Sequence, residues 1–337
     1  MGHRNGNLGL VTAPIIFRGI SPPLALHNHA SLTPTGGTRA TTAHRVDFAD
    51  GKLQLVSAAA DHIRSSVVKD PRSGLYLTGL LLEPTGFNWA KTTRALNTYI
   101  TTGATWPTTD YLAPDGSPTG DVLHENGANS SHHCYQSWTD VLGVTGQSFA
   151  ASVWVKMLNR RYIILSWGAP GAYHDFGFDL QDKVGILPET KAGRTAHLAE
   201  LIEDLGDGWL RIQGVATAGV TGTHYIQPMA ADLSGAELTF VFQGLDQDSF
   251  VLWGTMIDPL VQFSSSHIIN DGATAVQRSV DTAVAWALGN DMAKMEWTLL
   301  VPVLVPAHTP ASDLKLLSVY KNGAAATDHV TLWADTA

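Results

Sequence analysis

Residues 148–167 read SFAASVWVKMLNRRYIILSW, and this stretch limits the fold more than any other. In an extended chain Phe149, Ala151, Val153 and Val155 fall on one face, and Ala150, Ser152, Trp154 and Lys156 on the other. That period of two marks a half-buried β-strand. The run Tyr162–Trp167 is apolar on both faces, as suits a central strand of a sandwich. Met157–Arg160 between them reads as a turn, with Asn159 suited to a left-handed conformation. The expectation is a hairpin in the middle of an antiparallel sheet, with the rest of the chain laid around it.

Similar short runs surround it. Gly120–Glu125, His132–Trp138, Phe176–Leu180, Ala196–Glu203, Trp209–Thr217, Leu238–Gln243 and Phe250–Met256 are strand candidates separated by Gly, Asp, Asn and Pro. Many short strands with frequent turns mean an all-β sandwich, barrel or jelly roll. Earlier, Arg45–Phe48 and Lys52–Val56 flank Asp50-Gly51, a hairpin signal. Leu75–Leu82 reads as a buried strand, and Trp89–Leu96 has some helical character. Residues 1–45 are rich in Pro, Gly, Ser and Thr, yet carry Leu8, Leu10, Val11, Ile15, Ile16 and Phe17. Such a segment cannot offset its own ordering entropy and is expected to dock on the chain's body or on a partner. The expected division is an extended docking or oligomerisation arm over 1–90, an antiparallel β-sandwich over 91–275, and a short β extension over 276–337. Within that extension Trp297–Val305, Leu314–Tyr320 and His329–Trp333 are the strand candidates, with a short helix near Ala283–Leu288.

Composition narrows the function. Only 15% of the 337 residues are charged, against about 25% in an average globular protein. A surface poor in charge suits large subunit interfaces, so a homo-oligomer is expected. The net charge of −9, with no Lys/Arg cluster, argues against tracking nucleic-acid phosphates. Cys134 is the single cysteine, so no intrachain disulfide can form. The N-terminal apolar run is short and broken by Pro14, unlike a signal peptide. No apolar stretch is long enough to span a bilayer, and no membrane partner is expected.

Seven segments then carry a resemblance. Asp70-Pro71-Arg72-Ser73-Gly74 with Gly79–Pro84 is similar to a "DP-x-TG … GLLIE" segment of tailed-phage virion proteins. Ala113-Pro114-Asp115-Gly116 resembles their "APDG" turn, Ser152–Lys156 their "SVYVK" strand, and Phe178-Asp179-Leu180 their "FDL" strand. Gly206–Arg211 (GDGWLR) resembles "GNGWYR", Trp253-Gly254 resembles "WGAQ", and Gln277–Asp281 resembles the closing "TRAAD". The family comprises tail-fibre, tailspike and head-spike subunits of phages and gene-transfer particles. The resemblance implies a jelly roll like a carbohydrate-binding module, at 91–275. It also implies a virion location, other virion proteins as partners, and host surface polysaccharide as ligand. Where the family has "RTNLL", this chain has Thr85-Gly86-Phe87-Asn88-Trp89.

Aromatic residues carry the best ligand signal. A sugar has a C–H-rich face and a hydroxyl rim, and so suits flat rings bordered by donors and acceptors. Trp154 shares its strand face with Ser152 and Lys156, and Trp106, Tyr111, Trp138, Tyr173 and His174 lie in or near loops. The carbohydrate-binding candidates are Trp154, the Tyr173-His174-Asp175 loop, Trp106 and Tyr111, with Asp175 as hydroxyl acceptor. The competing reading packs these rings under the N-terminal arm or at a subunit interface. The negative charge suggests a neutral polysaccharide, or an anionic one met through Lys156 or Arg161.

Other clusters read as structural. His132 and Cys134 would share a strand face, but two ligands do not make a metal site. No cofactor is expected; structural calcium on loop oxygens is the one allowance, and no ligands for it are named by the sequence. Glu200, Glu203, Asp204 and Asp207 read as a solvated hairpin rather than the facing pair a glycosidase needs. There is no G-x-S-x-G elbow, phosphate loop or H-E-x-x-H. Three functions therefore compete: a non-enzymatic adhesin, a purely structural spike or fibre segment that anchors another receptor-binding chain, and a polysaccharide-degrading spike.

Overall fold

A computed structural model describes residues 43–49, 52–58, 65–69, 76–80, 86–107, 110–139, 145–198, 201–259, 266–272, 274–278, 314–320 and 329–334. Residues 1–42 of the arm expected over 1–90, the helix near 283–288 and the strand at 297–305 lie outside these. The chain divides into two compact units. One, within residues 37–283, is an antiparallel β-sandwich; the other contains a β-hairpin near the C-terminus.

In chain order the strands are β1 (Ala43–Ala49), β2 (Lys52–Ala58), β3 (Ser65–Lys69), β4 (Tyr76–Leu80), β5 (Gly86–Asn88), β6 (Ile100–Thr102), β7 (Ala104–Thr105) and β8 (Asp121–Glu125). Then come β9 (Asn129–Ser131), β10 (His133–Thr139), β11 (Ser148–Met157), β12 (Tyr162–Ala169), β13 (Ala172–Asp179), β14 (Val184–Ile186), β15 (Arg194–Leu198) and β16 (Leu201–Gly206). The last are β17 (Trp209–Thr217), β18 (Thr223–Ser234), β19 (Glu237–Thr239), β20 (Val241–Gln243), β21 (Gln247–Pro259), β22 (Val276–Arg278), β23 (Leu314–Tyr320) and β24 (His329–Ala334). One sheet has eight strands, in the order β14-β13-β12-β18-β10-β6, with β15 parallel on β13 and β19 on β18. The other has six, in the order β16-β17-β11-β21-β8-β7. β23 and β24 pair with each other in the second unit.

The main core lies between these sheets. Phe149, Ala151, Val153 and Val155 of β11 meet Ile163, Leu165 and Trp167 of β12, Phe176 and Phe178 of β13, and Phe250, Leu252 and Ile257 of β21. The inward parity of β21 changes from even at Leu252 to odd at Ile257. Gly254, at φ +61, lies between them, where the register with β11 shifts as at a β-bulge. Of the residues expected to be buried, Phe149, Val153 and Val155 lie in this core, while Ile164 and Trp209 are buried in clusters on the two outer faces.

Several expectations need correction. β11 and β12 do not pair as a hairpin; they lie in opposite sheets, and residues 158–161 carry the chain across. The alternation of β11 is genuine, but its second face is also buried, so both strands are central. Asn159 does not adopt a positive φ; its amide donates to the Asp248 carbonyl at 3.0 Å. Arg160, buried, holds the fully buried Glu125 carboxylate, which also accepts from Ser249 Oγ (2.9 Å) and the Leu245 N–H (3.1 Å). Ala196–Glu203 is likewise two strands, β15 and β16, one in each sheet.

The helical reading of Trp89–Leu96 fails too. A short 3-10 turn at Leu96–Thr98 is the helical element there. The preceding segment closes the sandwich instead: β5 pairs with β22, and the Asn88 amide donates to the Thr255 (3.0 Å) and Ile268 (2.7 Å) carbonyls. Both expected domain boundaries therefore shift, because β1, β2, β5 and β22 belong with the sandwich. The β1–β2 hairpin, as expected around Asp50-Gly51, packs Val46 and Leu55 over Val122, Trp154, Trp209, Val251 and Trp253 on the outer face of the six-stranded sheet. The Leu55 N–H donates to Pro114 O at 2.8 Å, and Lys52 pairs with Asp207 at 3.1 Å in the Gly206-Asp207-Gly208 turn.

Candidate functional site

With the outer face of the six-stranded sheet covered, the outer face of the eight-stranded sheet is where partly exposed aromatic and polar side chains gather. The register places them in rows. Tyr225 of β18 pairs with Gly168 of β12, Gly168 with Tyr173 of β13, and Tyr173 with Arg194 of β15. In the next row on the same face, Gln227 pairs with Ser166 and Ser166 with Asp175. A third row, Met229–Ile164–Gly177–Ile186, packs with Leu238 and Phe240.

Gly168 shapes the first row. It has no side chain to fill the space between Tyr225 and Tyr173, whose ring centroids stand 6.4 Å apart above it. Its φ is +138, and an added Cβ would lie 2.4 Å from the Ala172 carbonyl oxygen. Tyr135 of β10 continues the strip, 5.8 Å from Tyr225, and His133 lies 5.9 Å from Tyr135. These four rings are half-buried, with apolar faces and polar tips available together.

Arg194 ends the row. Its guanidinium lies 4.6 Å from the Tyr173 ring and 4.6 Å from the Phe240 ring. Nη1 donates to both Asp175 oxygens, at 2.7 and 3.0 Å, and to Ser166 Oγ at 3.2 Å. The side chain is therefore held on two flat faces and by a charge-assisted, bifurcated hydrogen bond, which pre-organises its remaining donors. Beside it Lys191 sits 4.3 Å from the Phe240 ring and pairs with Glu189 at 2.7 Å. Burial, then the Arg194 charge and His132, push the His133 imidazole down to about 4, so it is neutral at pH 7. Burial raises the Tyr173 hydroxyl, which stays protonated. The arrangement can stack against a ring and hydrogen-bond its rim. Its carboxylates are engaged: Asp175 by Arg194, and Glu189 by Lys191 and the Thr239 hydroxyl.

The expected residues fare differently. Tyr173 is on this face. Asp175 lies beneath it, 1% exposed and occupied by Arg194, so it orients Arg194 instead of accepting from a ligand. His174 points between the sheets, 5.0 Å from Trp167, with Nδ1 3.0 Å from His197 Nε2; neighbours on a strand face opposite sides. Trp154 is 0% exposed under the β1–β2 hairpin and cannot stack on a ligand. Trp106 is half-buried against the main core, its indole N–H donating to Tyr99 O at 3.2 Å. Tyr111 is exposed and bridges to Gly120, on the side of the six-stranded sheet. Trp138 is buried and stacked on His224 at 5.6 Å. Arg161 is engaged by Asp179 (2.8 Å) and Asp182.

Sequence reasoning missed Tyr135, Tyr225, Gln227 and Arg194. Tyr225 and Gln227 were hidden because Thr223–Ser234 contains Pro228, and proline argues against a central strand. β18 is nonetheless central. Its ladder to β10 skips between Met229↔His133 and Ile226↔Gln136, and Pro228 falls in that skip, where its missing N–H costs least. The signal was the alternation of Tyr225, Gln227, Met229 and Ala231.

Among the described residues no group of three or more His, Cys, Asp or Glu is placed to hold a metal ion. His132 is satisfied by the Gly103 carbonyl at 2.7 Å, and Cys134 is buried in the main core. Of the acidic run, Asp204 pairs with Lys183 at 2.6 Å and Glu203 lies 3.7 Å from Arg211, as a hairpin surface would have it. Glu200 lies outside the described residues. No described helix is long and apolar enough to cross a membrane.

No protein-family model matches the sequence, and no curated protein matches it. Among solved structures, one similar chain is the CBM22-1–GH10 modules of Clostridium thermocellum endo-1,4-β-D-xylanase 10B complexed with xylohexaose. It shares 12% identity at a TM-score of 0.31, over 56% of this chain and 30% of the xylanase chain. Another is the CBM22-1 xylan-binding domain of Paenibacillus barcinonensis Xyn10C, at 12% identity and a TM-score of 0.28, over 53% of this chain and 94% of that one.

Proposed function

We propose that the outer face of the eight-stranded sheet binds polysaccharide without cleaving it. The observation that carries this reading is the row Tyr225–Gly168–Tyr173–Arg194, extended by Tyr135. It offers adjacent rings over a glycine floor and ends in a clamped donor. Stacking surface with a few fixed polar groups is the general pattern of a small-ligand site. The engagement of Asp175 and Glu189 supports binding over hydrolysis, since a glycosidase needs one free acid and one free base or nucleophile.

The chain's place in this reading is a spike or fibre subunit of a phage-like virion that adsorbs to host surface polysaccharide. That part rests on the seven ordered segments between residues 70 and 281. A shallow open face binds one chain weakly, and copies around a symmetry axis would raise avidity by roughly 10²–10⁴. The test is a glycan array and affinity electrophoresis with wild type, Tyr225→Ala and Tyr173→Ala, folding being checked by circular dichroism. Retention by a polysaccharide that both substitutions weaken is expected. Retention that neither substitution changes would refute the site. If no glycan is retained, the purely structural spike or fibre role replaces the adhesin.

A further inference from the structure

We infer that this face selects uncharged polysaccharide over polyuronates and other anionic glycans; the inference rests on the binding reading above. The two cations that the structure places against the Tyr173 and Phe240 rings of this face, Arg194 and Lys191, each already hold a carboxylate. Arg194 pairs with Asp175 and Lys191 with Glu189. The row presents neutral ion pairs where an anion would need a net positive charge.

The Arg194–Asp175 pair is the decisive one. Asp175 is 1% exposed, and Arg194 is 16% exposed in its side chain. A uronate drawing Arg194 away would strand a buried carboxylate, and a uronate joining it would sit beside Asp175 as a like charge. A hydroxyl meets neither penalty. Arg194 Nη2 has only a long contact of 3.5 Å to Gln227 Oε1, so it can donate to a hydroxyl oxygen while Nη1 keeps Asp175. The His133 ring, 5.9 Å from Tyr135 on the strip, carries no charge at neutral pH. The partly exposed polar groups that remain, the hydroxyls of Tyr135, Tyr173 and Tyr225, suit neutral hydroxyls as both donors and acceptors.

The experiment uses the full chain against immobilised galactomannan, arabinoxylan, hydroxyethyl cellulose, polygalacturonate and alginate by biolayer interferometry. Wild type should favour at least one neutral polymer over both polyuronates by about tenfold, a difference of about 1.4 kcal/mol. Raising salt from about 0.02 to 0.5 M, which shortens screening to a few Å, should change the neutral signal less than about twofold. Tyr225→Ala should abolish it. Glu189→Gln, which releases Lys191 beside the Phe240 ring, should add a salt-sensitive polygalacturonate signal. Wild type favouring a polyuronate, with salt-sensitive and Tyr225-dependent binding, would overturn the charge selection while leaving the binding reading intact. Binding of no polymer would overturn both. Folded Glu189→Gln with no gain on polygalacturonate would also count against the role given to pairing.

Discussion

Replacing Glu125 with Gln probes the step that assigns β11 and β12 to opposite sheets. Glu125 ends β8 with its side chain fully buried, and Arg160 reaches it from the crossover with 8% exposure. The carboxylate accepts from Arg160 Nε at 3.1 Å and Nη2, the Leu245 N–H at 3.1 Å, Gln247 Nε2 at 3.3 Å and Ser249 Oγ at 2.9 Å. It therefore pins β8, the crossover and the start of β21 together. Glu125→Gln keeps the shape and removes the charge, leaving Arg160 with Asp232, a half-exposed carboxylate 3.5 Å away. Breaking one side of a buried pair costs about 3–5 kcal/mol, a large share of a total stability of about 5–15 kcal/mol.

Urea unfolding followed by tryptophan fluorescence measures this cost, with an unchanged m-value as the check that the same transition is compared. The double variant Glu125→Gln/Arg160→Met removes the stranded cation and should recover most of the loss, since apolar replacement of a buried pair is often near neutral. Acid should shrink the difference between wild type and Glu125→Gln. Burial disfavours the Glu125 charge, but Arg160, the Leu245 N–H and Ser249 outweigh it and hold the carboxyl below the usual 4.5. Its stabilisation is thus complete above the unfolded value and is lost as pH falls through the folded one. A Glu125→Gln loss under about 1 kcal/mol, or a double variant no better than the single one, would refute the reasoning.

Trp154→Ala should cost about 3–5 kcal/mol by emptying the cluster under the β1–β2 hairpin, while glycan binding per folded molecule stays unchanged; unfolding curves and binding assays read the two separately. Gly168→Ala should lose about 1–3 kcal/mol from left-handed strain and the clash with Ala172, and it should weaken binding by shifting the floor between Tyr225 and Tyr173. Thermal unfolding should fall steadily from pH 7 to pH 5, because burial lowers His44, His133, His174, His197 and His267 below 6.5. The unfolded chain then binds protons that the folded one refuses, so stability falls as pH drops below 6.5. His124, raised by its hydrogen bond to Asp248 against slight burial, should titrate above 6.5 by NMR, opposite in sign to His133.

The sequence by itself determined the local elements and the fold class. Alternation marked β11, Asp50-Gly51 marked the β1–β2 turn, and GDGWLR marked the β16–β17 turn, where Gly206, Asp207 and Gly208 all take positive φ. These are legible because side-chain direction and turn chemistry depend on neighbours a few residues away. Tertiary structure alone decided which strand joins which sheet and what covers each face. In sequence Trp154 and Tyr173 are each an aromatic with polar neighbours, Trp154 read on a strand and Tyr173 in a loop, although the structure puts Tyr173 in β13. Trp154 meets a hairpin about a hundred residues upstream and is buried, whereas Tyr173 meets Tyr225 and Arg194 over a glycine and remains partly exposed. A two-residue period shows that a strand has two faces, but only long-range packing settles which of them meets core, covering hairpin or solvent.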